Sequence, residues 1–166
     1  MPDESTFADV LAANEEYANG FPLAGLQARA AKGLAVLTCM DSRIEPLAML
    51  GLRPGDAKIL RNAGARVTDD VLRTLVLAHY LLGVERAMVI AHTDCAMATG
   101  TEEDIRRAVH EAGGPDTRSI EFLFMGDQRA TVRADVERIR AWPYLARLDV
   151  GGFLYDVGTG RVGQLC

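Results

Sequence analysis

Long apolar runs are missing from this sequence. None approaches the ~18 residues that cross a bilayer, so no membrane partner is expected. Excess positive charge is missing too: the formal net charge is −5 and the pI about 5.2. Nucleic acids and anionic surfaces attract clustered Lys and Arg. Here Arg residues interleave with Asp and Glu, as between Thr131 and Arg140, which is the pattern of a solvated helix face. A nucleic-acid partner is therefore not expected either. The opening MPDESTFADV is acidic and lacks the basic and apolar blocks of a secretory signal, so the cytoplasm is the expected location. Cysteine is scarce: there are three, an odd number, with no Cys-x-x-Cys. A disulfide scaffold uses more of them in a shorter chain, and a redox dithiol uses that spacing. Cysteines in a patterned setting are then better read as metal ligands or nucleophiles. With no internal repeat, low-complexity tract or linker, residues 1–166 are most simply one domain.

What is present is an alternation of short apolar runs with helical periodicity. Residues Phe7 to about Ala31 have helical spacing, with Phe7, Val10 and Leu11 on one face and an interruption at Phe21-Pro22. LAVLTC (Leu34 to Cys39), AKILRN (Ala57 to Asn62) and AMVIAH (Ala87 to His92) have the length and apolar character of buried strands. Thr68-Asp69-Asp70 predicts the cap of a helix carrying Val71, Leu72, Leu75, Val76, Ala78 and Leu82 inward, with Gly83 to end it. Thr101 to Asp104 opens another helix with acidic residues at its positive end, and Arg129 to Ile139 forms a further one. FLYDV, a Gly-Thr-Gly turn and RVGQLC predict a terminal hairpin. The order implies an α/β fold: a mostly parallel sheet flanked by helices, closed by a C-terminal hairpin strand.

Two of these strands end on metal-ligand residue types. Cys39 closes the first and His92 the third, with Cys95 following after two intervening residues. Right-handed crossovers bring the C-termini of parallel strands to one edge of a sheet, where open α/β folds hold ligands. Two thiolates and an imidazole suit zinc, and three protein ligands leave a fourth position open, as in catalytic sites. Asp41 and Arg43, immediately beyond Cys39, can pair, and a carboxylate held by Arg stays ionised and oriented. From the pattern alone, each cysteine serves equally well as a small core residue, and both readings stay open. His79 and His110 are expected to pack or face solvent, Cys166 to be a free terminal thiol, and Trp142-Pro143 to end a helix.

CMDSR, RNAG (Arg61 to Gly64) and HTDC, in this order, resemble the β-class carbonic anhydrases. The likeness is strongest from Leu34 to Cys95 and is nearest to short actinobacterial members. It implies one zinc ion per chain on Cys39, His92 and Cys95, and an Asp41–Arg43 dyad beside the open coordination position. It also implies reversible hydration of carbon dioxide to bicarbonate, and a homodimer or dimer of dimers. The N-terminal arm (1–31) would pack on the partner subunit, and the backbone at Asn62 to Gly64 would lie near the dyad. Gly64 suits a close backbone approach.

Two positions depart from the family pattern. Ala96 and Ala91 stand where Gly is usual or frequent, and each is expected to add a methyl near the metal. Val36 stands where some members carry the Trp of a non-catalytic bicarbonate site, which argues against that form of regulation. A zinc ion with two thiolates and a neutral imidazole has no net charge. It should acidify water less than a three-histidine site, where the pKa is about 7, so activity should rise with pH. The rival readings are a carbonyl sulfide or carbon disulfide hydrolase on the same site and a non-catalytic zinc-binding descendant of the fold.

Overall fold

The structure is a computed structural model and describes residues 4–166. Met1 to Asp3 of the expected arm lie outside the described residues. After a 3-10 turn at Glu4–Phe7, helix α1 spans Ala8–Asn19. It stops well short of Ala31, because Gly20 and the Phe21-Pro22 pair break the helical path and turns carry the chain to Gly33. No residue of α1 is buried, and Phe7, Val10, Leu11 and Tyr17 are all exposed. The apolar face is real, but this chain does not cover it.

The sheet has the order β2-β1-β3-β4-β5. Strand β1 (Leu34–Cys39) pairs in parallel with both β2 (Ala57–Asn62) and β3 (Arg86–His92). β3 pairs in parallel with β4 (Asp149–Tyr155), and β5 (Val162–Gln164) returns antiparallel on β4 as the expected hairpin. Every residue of β1 is buried, as an apolar run between two neighbours requires.

The remaining helices are α2 (Pro46–Met49), which periodicity did not reveal because it is a single turn, α3 (Asp69–Leu81), α4 (Glu102–Glu111) and α5 (Gln128–Arg140). Their ends are set by local chemistry. Thr68 Oγ1 accepts from Val71 N at 3.3 Å, Thr101 and Asp104 form a reciprocal capping box, and Asp127 Oδ1 accepts from Ala130 N at 3.1 Å. Gly83 (φ 71°) takes the left-handed turn that ends α3. Val71, Leu72, Leu75 and Ala78 of α3 and Val132, Val136 and Ile139 of α5 cover one sheet face with Ala35, Leu37, Val89 and Ala91. Leu34, Val36 and Ile90 face the other way, towards Met49, Leu50 and Leu52. No helix among the described residues is long and apolar enough to cross a membrane.

One buried ion pair joins α5 to the loop after β2. Arg66 Nε and Nη2 donate to Asp135 at 2.8 and 3.2 Å, Val67 N donates to the same carboxylate at 3.1 Å, and Arg66 Nη1 donates to Leu123 O at 2.6 Å. Asp135 is only 4% exposed and the Arg66 side chain 17%, so removing either partner leaves the other's charge largely out of water and unpaired. Asp135→Ala should lower stability by about 3–5 kcal/mol, the range for breaking a buried pair. Thermal unfolding measures this: a midpoint depressed by roughly 10 °C is expected, and an unchanged midpoint would refute the assignment.

Candidate metal centre

Because β1 and β3 are paired with Thr38 opposite Ile90, they leave the sheet side by side at its C-terminal edge. Their exits place Cys39 and His92 together, and the turn after β3 returns Cys95. The three ligand atoms lie within 4.8 Å of one another, and all three residues are buried. That spacing is close to what donors about 2.0–2.3 Å from a shared ion require.

The histidine distinguishes this cluster from an ordinary patch of core. His92 Nδ1 lies 2.8 Å from Thr93 O. A carbonyl only accepts, so Nδ1 carries the proton and Nε2 presents a lone pair. Nε2 is buried and has no hydrogen-bond partner. An unsatisfied buried nitrogen is costly, and here it converges on two thiols. A divalent ion with a taste for sulfur and nitrogen resolves that cost, and zinc fits the donor set.

Several groups prepare the thiols for this. Gly64 N donates to Cys39 Sγ at 3.4 Å. Hydrogen bonding from Cys95 first, with help from the Gly64 amide, holds the Cys39 thiol well below its ordinary range against the opposing effect of burial. The neighbouring Cys39 thiolate, and then burial, push Cys95 up. The same thiolate raises His92.

Gly64 makes its approach because it has no side chain. Its φ is +80°, and a Cβ there would meet Met125 Cε at 3.0 Å and Met97 Cβ at 3.2 Å. The turn carrying it is closed by reciprocal bonds between Asn62 and Arg66, at 2.7 and 2.8 Å. Ile44 and Met125 are buried against the two cysteines, and Met97 packs on them.

Asp41 and Arg43 form the expected pair. Arg43 Nε and Nη2 donate to Asp41 Oδ1 and Oδ2 at 3.0 and 2.8 Å, and the Arg43 amide donates to Oδ1 at 2.9 Å. These bonds hold the Asp41 carboxyl well below the usual carboxylate range. Asp41 Oδ2 lies 3.8 Å from His92 Nε2, beyond hydrogen-bond distance. Arg61 fixes the same loop by donating to Cys39 O and Asp41 O at 3.0 and 2.6 Å. Gln128 Nε2 donates to His92 O at 2.8 Å.

The family model for carbonic anhydrase matches residues 34–162. The chain is also 38% identical over 159 residues to beta-carbonic anhydrase 1 of Mycobacterium tuberculosis, covering 95% of this chain and 96% of that protein. It belongs to the carbonic anhydrase family, in the β class. A carbonic anhydrase from Streptococcus mutans superposes with a TM-score of 0.88 at 37% identity, covering 96% of this chain and 97% of the other. A carbon disulfide hydrolase from Saccharolobus solfataricus shares 42% identity over 80 residues, which is 48% of this chain and 39% of that one.

For this carbonic anhydrase relative, Ala91 falls differently from expectation. Ala91 precedes His92 on β3, so its methyl points to the opposite face and is buried in the main core with Val89. Ala96 is exposed in the turn after Cys95. His110 is exposed, and His79 Nδ1 is 2.6 Å from Val84 O; neither belongs to the metal cluster. Spacing gave no sign of Gln128 and Met125 at the site, because both reach it through tertiary contacts.

Thiolates, not thiols, bind the metal, so the bound form holds fewer protons and acid favours the free protein. Zinc uptake near neutral pH should therefore release protons. Titration calorimetry in buffers of different ionisation heat reads this directly. An affinity that is flat from mildly acid to mildly alkaline pH would contradict the ligand set.

Proposed function

We propose that this chain reversibly hydrates carbon dioxide to bicarbonate and a proton, using one zinc ion held by Cys39, His92 and Cys95. The observation that carries this reading is the orphaned His92 Nε2. It faces two thiols at the side of an Arg-held carboxylate. Zinc bound there supplies Lewis-acid activation of water.

The other roles belong to the chain itself. Asp41, kept ionised by Arg43, acts as an acceptor only. It can orient a water in the site and take a hydrogen bond from it, but it cannot donate one. Arg43 fixes that carboxylate by two parallel bonds, which restrict rotation more than a single contact does. Ile44, Met97 and Met125 wall the cysteines with apolar surface, which suits a small apolar substrate and limits access of bulk water. The two thiolates balance the charge of a divalent ion. Water in the site is then acidified less than beside a three-histidine zinc, and activity rises with pH.

Asp41→Ala should keep one zinc per chain and lose hydration by about 10–100-fold, the usual cost of removing a group that orients the metal site. Stopped-flow hydration with parallel metal analysis checks this. A variant as fast as the parent would remove Asp41 from the mechanism. Carbonyl sulfide and carbon disulfide run beside carbon dioxide give the competing outcome, since the Saccharolobus relative is a carbon disulfide hydrolase. Faster turnover of either sulfur compound would reassign the substrate, and metal-replete protein inactive on all three would mark a non-catalytic descendant.

The exposed apolar face of α1 supports a homodimer, or a dimer of dimers, in which the arm of one subunit packs on the other. Free thiols as ligands favour a reducing compartment, the cytoplasm. Leu11→Asp alters a side chain that is 60% exposed here, so it should leave the subunit folded and shift the assembly towards monomer. Light scattering after size-exclusion chromatography checks this, and a monomeric parent would refute the arm exchange.

A further inference from the structure

The Arg43 guanidinium is gripped from two sides. One edge holds Asp41. On the other, Nη1 donates to Asp94 Oδ2 at 2.7 Å and Nη2 donates to Asp94 O at 2.9 Å. Asp94 lies in the turn between His92 and Cys95, so this contact ties the loop of the first ligand to the loop of the other two.

The backbone at Asp94 is bent for this contact. Its φ is +54°, a left-handed conformation that side chains other than Gly adopt at a cost and that Asp tolerates better than most. In that conformation its carbonyl and its carboxylate both meet the same guanidinium. Burial does not explain the strain, since the Asp94 side chain is 77% exposed. Stability does not explain it either, because exposed ion pairs contribute little. What the contact does accomplish is orientation. Arg43 is itself 46% exposed and long enough to swing into solvent, and Asp94 occupies the donors that Asp41 leaves over.

We infer that Asp94 is a positioning residue for the hydration reaction: it holds Arg43 on Asp41, and so keeps the Asp41 carboxylate in its paired orientation beside the metal ligands. The inference rests on the proposed reaction for its kinetic consequence and on the geometry alone for its structural one. Both loops then move as a unit, since a shift of the His-Thr-Asp-Cys turn carries Arg43 with it.

Asp94→Asn separates these roles, because Asn also tolerates a left-handed backbone and keeps the carbonyl contact while losing the charge. Four proteins are compared: the parent, Asp94→Asn, Arg43→Ala and the double variant. Asp94→Asn should retain one zinc per chain and lose about tenfold in kcat with KM unchanged, in the range for groups that support a metal site. Added to Arg43→Ala, it should cost nothing more. With cobalt in place of zinc, the visible spectrum of Asp94→Asn should move in the direction of that of Arg43→Ala, because a loosened Asp41 changes the surroundings of the ion. Parental kcat together with a parental cobalt spectrum would overturn the inference. So would full additivity with Arg43→Ala, or loss of zinc, which would make Asp94 merely a support of the ligand turn. A parent inactive on carbon dioxide would sink the hydration reading, while the cobalt spectra would still judge Asp94.

Discussion

The parallel pairing of β1 with β3 is the constraint on which the rest of the molecule depends. It sets two chain exits next to each other, although Cys39 and His92 are 53 positions apart in sequence. Each strand is buried between two neighbours, so a slip of one residue would turn core side chains outward and move one ligand out of reach. The energy of the hydrophobic sheet thus fixes a distance in the metal site. The covering helices reinforce this register from one face: α3 and α5 pack on Ala35, Leu37, Val89 and Ala91.

Charge is arranged around that edge with little left unbalanced. The Gly64 amide and the Cys95 thiol serve the Cys39 thiolate, Arg61 serves the two carbonyls beyond it, and Arg43 serves two carboxylates. Arg66 and Asp135 neutralise each other further in, where they also anchor the turn that presents Gly64. The route from the helix α5 pair to the Cys39 sulfur runs through Arg66, the Asn62 clasp and one glycine amide. Hydrogen bonds make the contacts along it, and the short backbone from Asn62 to Gly64 joins them.

The parts legible in sequence were those written in local patterns. Strand runs, caps at Thr68 and Thr101, the hairpin and the placing of Cys39 and His92 at strand ends all depend on neighbours a few residues away, and each appears in the structure. Contacts across long separations were not legible. Asp94 sits inside a quoted motif, but nothing in its spacing tells that it meets Arg43, 51 positions earlier. Asp135 looked like one more charge on a solvated helix and is buried. Ala91 was expected at the metal because it adjoins His92, yet strand alternation sends it to the other face. Helical spacing resumes beyond the interruption at Phe21-Pro22 and runs to about Ala31, but the chain forms turns there, and the helix ends at Asn19.

The bond from His92 Nδ1 to Thr93 O has a consequence for how this centre can change. In many metal sites a remote carboxylate sets the tautomer of the liganding imidazole, and a single substitution there can reverse it. Here the acceptor is the carbonyl of the next residue, a group that every amino acid possesses. The choice of nitrogen offered to the metal is therefore indifferent to side-chain identity along the turn. It would be lost only if the main chain itself took another path, and the backbone bond from Thr93 N to Tyr155 O holds it to this one.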